Sequence, residues 1–189
     1  MSKSREQINH FLNGIDIEGK LVLDVGVQNN PASNYCKGKA SVYKTLDIDG
    51  QWNPDFVNDL NDYVINKNDL SFDIVFCMEV LEHVWNPINA LKNLYKYTKE
   101  NGVCYISVPF INPIHDKWDY LRYTPEWFKK VLPRVGFKDI KITNRMASVG
   151  QCSLSHFYTE EGLKFSKIRK QMGDSELINL IGVIVEARK

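Results

Sequence analysis

The chain has 189 residues, with 24 Lys/Arg against 23 Asp/Glu and a formal net charge of +1. At ~100–200 residues per domain this predicts one domain, and the near-zero charge argues against a protein built to grip a long run of phosphate backbone. Hydrophobic residues at 43% and charged residues at 25% are those of a globular chain, neither disordered nor held by disulfides.

The predicted elements begin with Ile8, Phe11 and Leu12, the apolar face of a helix within residues 1–19. Leu21 to Gly26 is β-branched and nearly continuous, as a strand buried on both faces requires. Pro31 is placed to open a helix. Ser41 to Leu46 reads as a second strand, closed by the turn Asp47-Ile48-Asp49-Gly50, and Asp55 to Asp59 as a short third. A fourth strand spans Phe72 to Cys77, and a helix with Ile88, Leu91, Leu94 and Tyr95 on one face spans Pro87 to Lys99, ended by Gly102. Val103 to Val108 is a fifth strand. Thr124 and Pro125 cap and open another helix, whose last turn Pro133 should disturb before Gly136. Two more strands, Phe137 to Thr143 and Leu180 to Ala187, flank a polar, Lys-rich insertion at 146–179 with a helix from Thr159 to Met172. The expected domain therefore covers 1–189, with its core at 20–140.

No apolar stretch approaches the ~20 residues of a membrane span. The N-terminal MSKSREQINHFLNG lacks an apolar h-region. Cys36, Cys77, Cys104 and Cys152 form no C-x-x-C pair, so reduced thiols and a cytoplasmic location are expected.

Alternating β and α elements predict a mostly parallel sheet with helices on both faces. Such sheets take ligands beyond the carboxyl ends of their strands, which puts any chemistry after Asp24, Asp47, Asp59, Cys77 and Pro109. Asp47 lies 23 residues after Asp24. In a nucleotide-binding sheet the first turn approaches the ligand by its backbone, and a second-strand carboxylate accepts hydrogen bonds from the ribose diol. A local cap at Asp24 and a turn residue at Asp47 are the plainer alternatives.

The segment Phe72-Asp-Ile-Val-Phe-Cys-Met-Glu79-Val-Leu-Glu82-His83-Val-Trp-Asn-Pro87 resembles the fourth-strand signature of class I S-adenosylmethionine-dependent methyltransferases. It is close to the E-V-L-E-H-V form of their small-molecule, methyltransferase type 11-like branch. The resemblance runs over about residues 20–140. It implies a Rossmann-like three-layer α/β sandwich, with a mostly parallel seven-stranded sheet and an antiparallel C-terminal strand. It also implies S-adenosyl-L-methionine as cofactor, held by Asp24, Gly26 and Gln28, by Asp47 and Ile48, by Asp59 and Leu60, and by Met78 and Glu79. A second segment, Pro109-Phe-Ile-Asn-Pro-Ile-His115 continuing to Asp119-Tyr120-Leu-Arg122-Tyr-Thr-Pro125, resembles a subgroup often found with the biosynthesis of surface glycans and other secondary products.

The first motif departs from the family pattern. D-x-G-x-G-x-G here reads Asp24-Val-Gly26-Val-Gln28-Asn-Asn30, so two expected glycines are replaced. Asn tolerates the left-handed backbone region better than Gln does. Weakened cofactor binding, and a non-catalytic protein retaining the fold, is the alternative this departure raises.

The resemblance places the substrate side after the fifth strand. There His115 is the candidate base, since histidine as a residue type titrates near neutral pH, with Asp119 to orient it. Arg122 could hold a substrate carboxylate or phosphate, or pair with Asp116 or Asp119. Tyr120, Trp118 and Trp52 could line a substrate cleft or simply pack. His83 reads as a structural cap before Asn86-Pro87. No metal is expected, because an H-x-x-E-H zinc motif needs histidine where Glu79 stands.

Residues 47–73 hold seven aspartates and one lysine, a net of −6, whereas residues 124–189 hold twelve Lys/Arg and seven Asp/Glu, a net of +5. The acidic part suits a cationic cofactor and the basic part an anionic small-molecule substrate. RNA is the alternative acceptor. A nucleic-acid partner is disfavoured by the missing N-P-P-Y type segment after the fourth strand.

Overall fold

The computed structural model describes residues 3–28, 31–62, 71–146 and 180–189. Seven strands form one sheet: β1 (Leu21–Val25), β2 (Val42–Asp47), β3 (Phe56–Val57), β4 (Phe72–Met78), β5 (Thr98–Pro109), β6 (Lys138–Met146) and β7 (Leu180–Arg188). Their order across the sheet is β3-β2-β1-β4-β5-β7-β6. The first five run parallel, and β7 is antiparallel to both β5 and β6. The expected antiparallel C-terminal strand is therefore present, inserted between β5 and β6.

Among the described residues four helices cover the sheet: α1 (Lys3–Leu12), α2 (Pro31–Cys36), α3 (Pro87–Tyr97) and α4 (Pro125–Val135). Alternation along the strands sorts the core into two layers. Leu23, Val25, Val75 and Ile106 pack with Leu91 and Leu94 of α3 and Phe128 and Leu132 of α4. Val22, Ile74, Phe76 and Tyr105 pack with Ile8 and Leu12 of α1 and Ala32 and Cys36 of α2. Burying nearly whole apolar strands between two helical layers is the main force holding the sheet, at roughly 25 cal/mol per Å² of apolar surface removed from water.

Several boundaries differ from the sequence reading. The cap of α3 is Asn86, whose side chain accepts from the Asn89 amide, and not His83, which closes a 3-10 turn at Leu81–His83. That helix ends at Tyr97, because the Thr98 hydroxyl donates to the Leu94 carbonyl (2.8 Å) and Thr98 already pairs with Phe72 of β4. Gly102 lies inside β5, where a β-carbon would sit 2.9 Å from the Lys99 carbonyl oxygen. α4 runs through Pro133 to Val135. Proline there withdraws a donor only from the Lys129 carbonyl, and the Leu132 carbonyl still takes the Gly136 and Phe137 amides.

β1 pairs with β2 on one side and β4 on the other, so the strand order reverses at β1. The crevice this opens beyond the carboxyl ends is where open α/β sheets bind ligands. Cys36, Cys77 and Cys104 are buried free thiols, and burial pushes the Cys36 thiol up to about 12. Among the described residues no helix is long and apolar enough to cross a membrane. Asn30, Cys152 and the insertion with its Thr159–Met172 helix lie outside the described residues, apart from Met146 at the end of β6.

Candidate active site

The crevice is built first from backbone. Gly26 follows β1 with φ 80°, and its amide donates to the Leu46 carbonyl of β2 (2.8 Å). A β-carbon there would sit 2.4 Å from a methyl carbon of Val80. Both the positive φ and the approach of Val80 thus require glycine at this position.

Asp47 ends β2 and fixes the turn beside it. One carboxylate oxygen accepts the Val27 amide (2.8 Å) and the other the Asp49 amide (2.9 Å). Each oxygen keeps acceptor capacity for a further donor. Gly26, Asp47, Ile48, Asp59 and Leu60 line one cavity of about 90 Å³, closed on the β4 side by Val80, His83 and Val84. Five of the nine residues expected at the cofactor therefore meet in one place.

The other four lie apart from that lining. Asp24 is fully buried and accepts the Tyr43 hydroxyl (2.7 Å). Its charge, with burial as the larger cause, drives the Tyr43 phenol upward. Gln28 is exposed beyond Gly26. Met78 packs on the α1–α2 side of the sheet. Glu79 takes φ 56°, and one of its carboxylate oxygens accepts from the Ser107 hydroxyl and from Arg145 Nη2, both at 2.8 Å.

The loop at 58–62 that forms the far wall is tied down by α3. Asn89 donates to the Asn61 carbonyl (2.7 Å), and Asn93 donates to the carbonyls of Leu60 (3.0 Å) and Asp62 (2.7 Å). The Asn86 amide donates to the Asn61 side chain (2.9 Å). These asparagines recur at spacings of three and four, so one polar stripe of the helix holds the wall of the cavity. Asn86, Asn89 and Asn93 carry this signal in their spacing along the sequence.

The segment between β5 and α4 supplies the second side. Asp119 has no accessible side-chain surface and forms a two-pronged ion pair with Arg122. It also faces His115 Nδ1 at 3.0 Å and accepts the His115 amide. Hydrogen bonding from Arg122, above all, holds the Asp119 carboxyl down at about 2. Arg122 spends further donors on the carbonyls of Leu121 and Asn112, so of its two readings the contacts are those of the ion pair with Asp119. Tyr120 is half exposed beside Trp118, and its amide donates to the Glu82 carbonyl (2.8 Å), docking this segment onto the turn after β4.

That docking brings His115 against His83, with ring centroids 5.1 Å apart and nearly perpendicular. Beneath them Glu82 is buried, and neither carboxylate oxygen has a hydrogen-bond partner. Burial first, then the charges of Glu79 and Asp119, push its carboxyl up to about 8. Glu82, Ser107 and Arg145 were not among the expected site residues. Arg145 carries no local signal, because its partner stands 66 positions away, just past the end of β4.

Residues 3–163 match the sequence model of a family described as methyltransferase domain. A ubiquinone biosynthesis O-methyltransferase of Glaesserella parasuis is 31% identical over 110 residues, 57% of this chain and 46% of that protein. The chain thus spans about half the length of this relative. A protein of the same description from Pseudomonas fluorescens Pf-5 is 23% identical over 180 residues, 87% of this chain and 76% of that one. Among solved structures, an S-adenosylmethionine-dependent methyltransferase from Archaeoglobus fulgidus superimposes with a TM-score of 0.67 at 19% identity, covering 98% of this chain and 94% of that one. The likeness in structure concerns the fold.

Proposed function

The chain belongs to the methyltransferase-domain family of class I, S-adenosylmethionine-dependent proteins, and we propose that it transfers the methyl group of that cofactor to a hydroxyl of a small-molecule acceptor. The observation that carries the proposal is the cavity at the strand reversal, where Gly26, Asp47, Asp59 and Leu60 converge. In this reading the Asp47 carboxylate, already oriented by two amides, takes the ribose hydroxyls. Ile48 and Leu60 flank the adenine, and Asp59 closes its polar edge. The acidic run over 47–73 favours a cofactor bearing a positive sulfonium.

In this reading the acceptor sits beside His115 and Tyr120, in a cleft bordered by the segment between β5 and α4. The sulfonium is already a good leaving group, so the protein's task is to align oxygen, methyl carbon and sulfur, and positioning of this kind can supply ~7–11 kcal/mol. The acceptor oxygen's lone pair forms the new bond to carbon, and the carbon–sulfur pair returns to sulfur. His115 takes the hydroxyl proton. Asp119 orients that ring through Nδ1 and is itself held by Arg122, so Arg122 is a positioning residue. A hydroxyl acceptor agrees with the O-methyltransferase description carried by the relatives.

The test is labelled methyl transfer to a panel of hydroxylated aromatic and glycosyl acceptors. Transfer that falls about 10²-fold or more in His115→Ala, with unchanged S-adenosylhomocysteine affinity, is the expected outcome. Full transfer by that variant removes His115 from the reaction. Absence of transfer to every acceptor, with cofactor still bound, favours the non-catalytic reading.

A further inference from the structure

The cluster beneath the acceptor cleft has more order than a single base needs. Glu82, His83 and His115 each offer one ligand atom within 4.8 Å of the others. Glu82 Oε1 is 3.9 Å from His83 Nε2. The outer nitrogens of both rings are already occupied. His83 Nδ1 faces the Trp118 carbonyl (3.3 Å), and His115 Nδ1 faces the Asp119 carboxylate (3.0 Å), with the Asn112 side-chain amide 3.2 Å from the same nitrogen. A proton on Nδ1 in each ring leaves Nε2 with its lone pair free. Metal-binding histidines are characteristically held this way, with the second nitrogen donating to a carbonyl or carboxylate.

Charge points in the same direction. Three carboxylates meet here, and two have guanidinium partners: Glu79 with Arg145, and Asp119 with Arg122. Glu82 is the third, 1% exposed, with both oxygens buried and unbonded. An uncompensated carboxylate in the interior is costly unless a cation or a proton joins it.

We propose that Glu82, His83 and His115 bind one divalent transition-metal ion of the zinc class, leaving coordination positions open toward the acceptor cleft. Two imidazoles and one carboxylate with open positions is the composition of catalytic rather than structural metal sites. Bonds of ~2.0–2.1 Å put tetrahedral ligands about 3.3 Å apart, so the ligand atoms have to draw together. The absent H-x-x-E-H histidine is no obstacle, because the second imidazole comes from the β5–α4 segment and not from the turn after β4.

The inference deepens the reading of the cleft as the acceptor site, and it rests on that reading for its chemistry. With the ion present, His115 serves as a ligand. The ion would supply Lewis acidity to an acceptor hydroxyl, whose proton would then leave to solvent in place of its transfer to His115. The hydroxyl oxygen then attacks the methyl carbon as before, with the departing pair going to sulfur.

The experiment strips the full-length protein with EDTA and titrates it with Co²⁺, reading the visible ligand-field spectrum, and with Zn²⁺ by calorimetry. One equivalent should bind, with a spectrum of low, mixed nitrogen–oxygen coordination. Glu82→Gln and His115→Ala should each weaken binding at least about tenfold, and His10→Ala, on α1, should leave it unchanged. Thermal melting guards against misfolding. Without metal, Glu82→Gln should melt at or above the parent, since it removes a buried carboxyl that has no hydrogen-bond partner, and added Zn²⁺ should raise only the parent. No saturable binding by the parent, or equal binding by Glu82→Gln, overturns the site. S-adenosylhomocysteine titrated into the stripped protein reports the cofactor reading separately, so failure of either one is recognisable.

Discussion

Arg145 of β6 reaches across β7 and β5 to place Nη2 2.8 Å from the Glu79 carboxylate at the end of β4. The same nitrogen lies 2.6 Å from the Val108 carbonyl. Glu79 sits at φ 56°, a conformation a non-glycine residue holds only when its surroundings fix it. Ser107 and Arg145 supply that fixation. The turn leading to Glu82 and His83 is thereby anchored to the far edge of the sheet.

Arg145→Met should therefore cost about 2–4 kcal/mol, because it strands a partly buried carboxylate rather than removing both members of the pair. Urea denaturation measures the loss. A double variant that also carries Glu79→Gln should recover part of it, and a double variant as unstable as the single one would show that the pair is not coupled.

Gly182→Ala tests the same anchor from β7. A β-carbon there would fall 2.2 Å from Arg145 Nη2 and 2.6 Å from the Val108 carbonyl oxygen. The guanidinium can move but the carbonyl cannot, so the variant should lose stability by about 1–3 kcal/mol through overpacking. A melting temperature equal to the parent's would contradict this.

Asn93→Ala removes the donor that bonds the Leu60 and Asp62 carbonyls. About 1–3 kcal/mol of stability should go with those two bonds, one buried and one partly buried. Because the wall of the cavity loosens, S-adenosylhomocysteine affinity should fall as well, without any contact between Asn93 and the ligand. Hydrogen exchange would localise the loosening to residues 58–62. Protection there equal to the parent's would contradict the account.

Asp73 governs part of the acid limb of stability. Its carboxylate accepts the Leu21 amide at the start of β1 (2.8 Å) and pairs with Lys99 (3.0 Å). The Leu21 amide, above all, lowers its folded pKa below the ordinary aspartate value. Such a group stabilises the fold fully above its unfolded pKa, near ~3.9, and the contribution is lost as pH falls through the folded value. Asp73→Asn should thus narrow the gap between stability at pH 6 and at pH 3. An unchanged gap would remove Asp73 from the acid transition.

How much of this could be read beforehand follows from distance along the chain. β1, β4 and β5 announce themselves as unbroken β-branched runs, and Asn86-Pro87 and Thr124-Pro125 mark helix starts by local chemistry. The crevice residues Gly26, Asp47 and Asp59 follow from strand ends, which sequence order already implies. The pairing of Glu79 with Arg145 does not, because nothing near Arg145 marks β6 as the edge that reaches back to β4. Glu82 was hidden for a related reason. Its place beneath His83 and His115 depends on how the β5–α4 segment folds back, through the Tyr120 and Leu121 amides that donate to the Glu82 carbonyl.

The central claim is that the cofactor binds over Gly26 and Asp47, and calorimetric titration with S-adenosylhomocysteine tests it most directly. The account predicts one equivalent bound per chain, and affinity reduced at least about tenfold in Asp47→Ala, a loss of roughly 1.4 kcal/mol or more, with the variant's circular dichroism unchanged. No binding by the folded parent, or equal binding by Asp47→Ala, would contradict it.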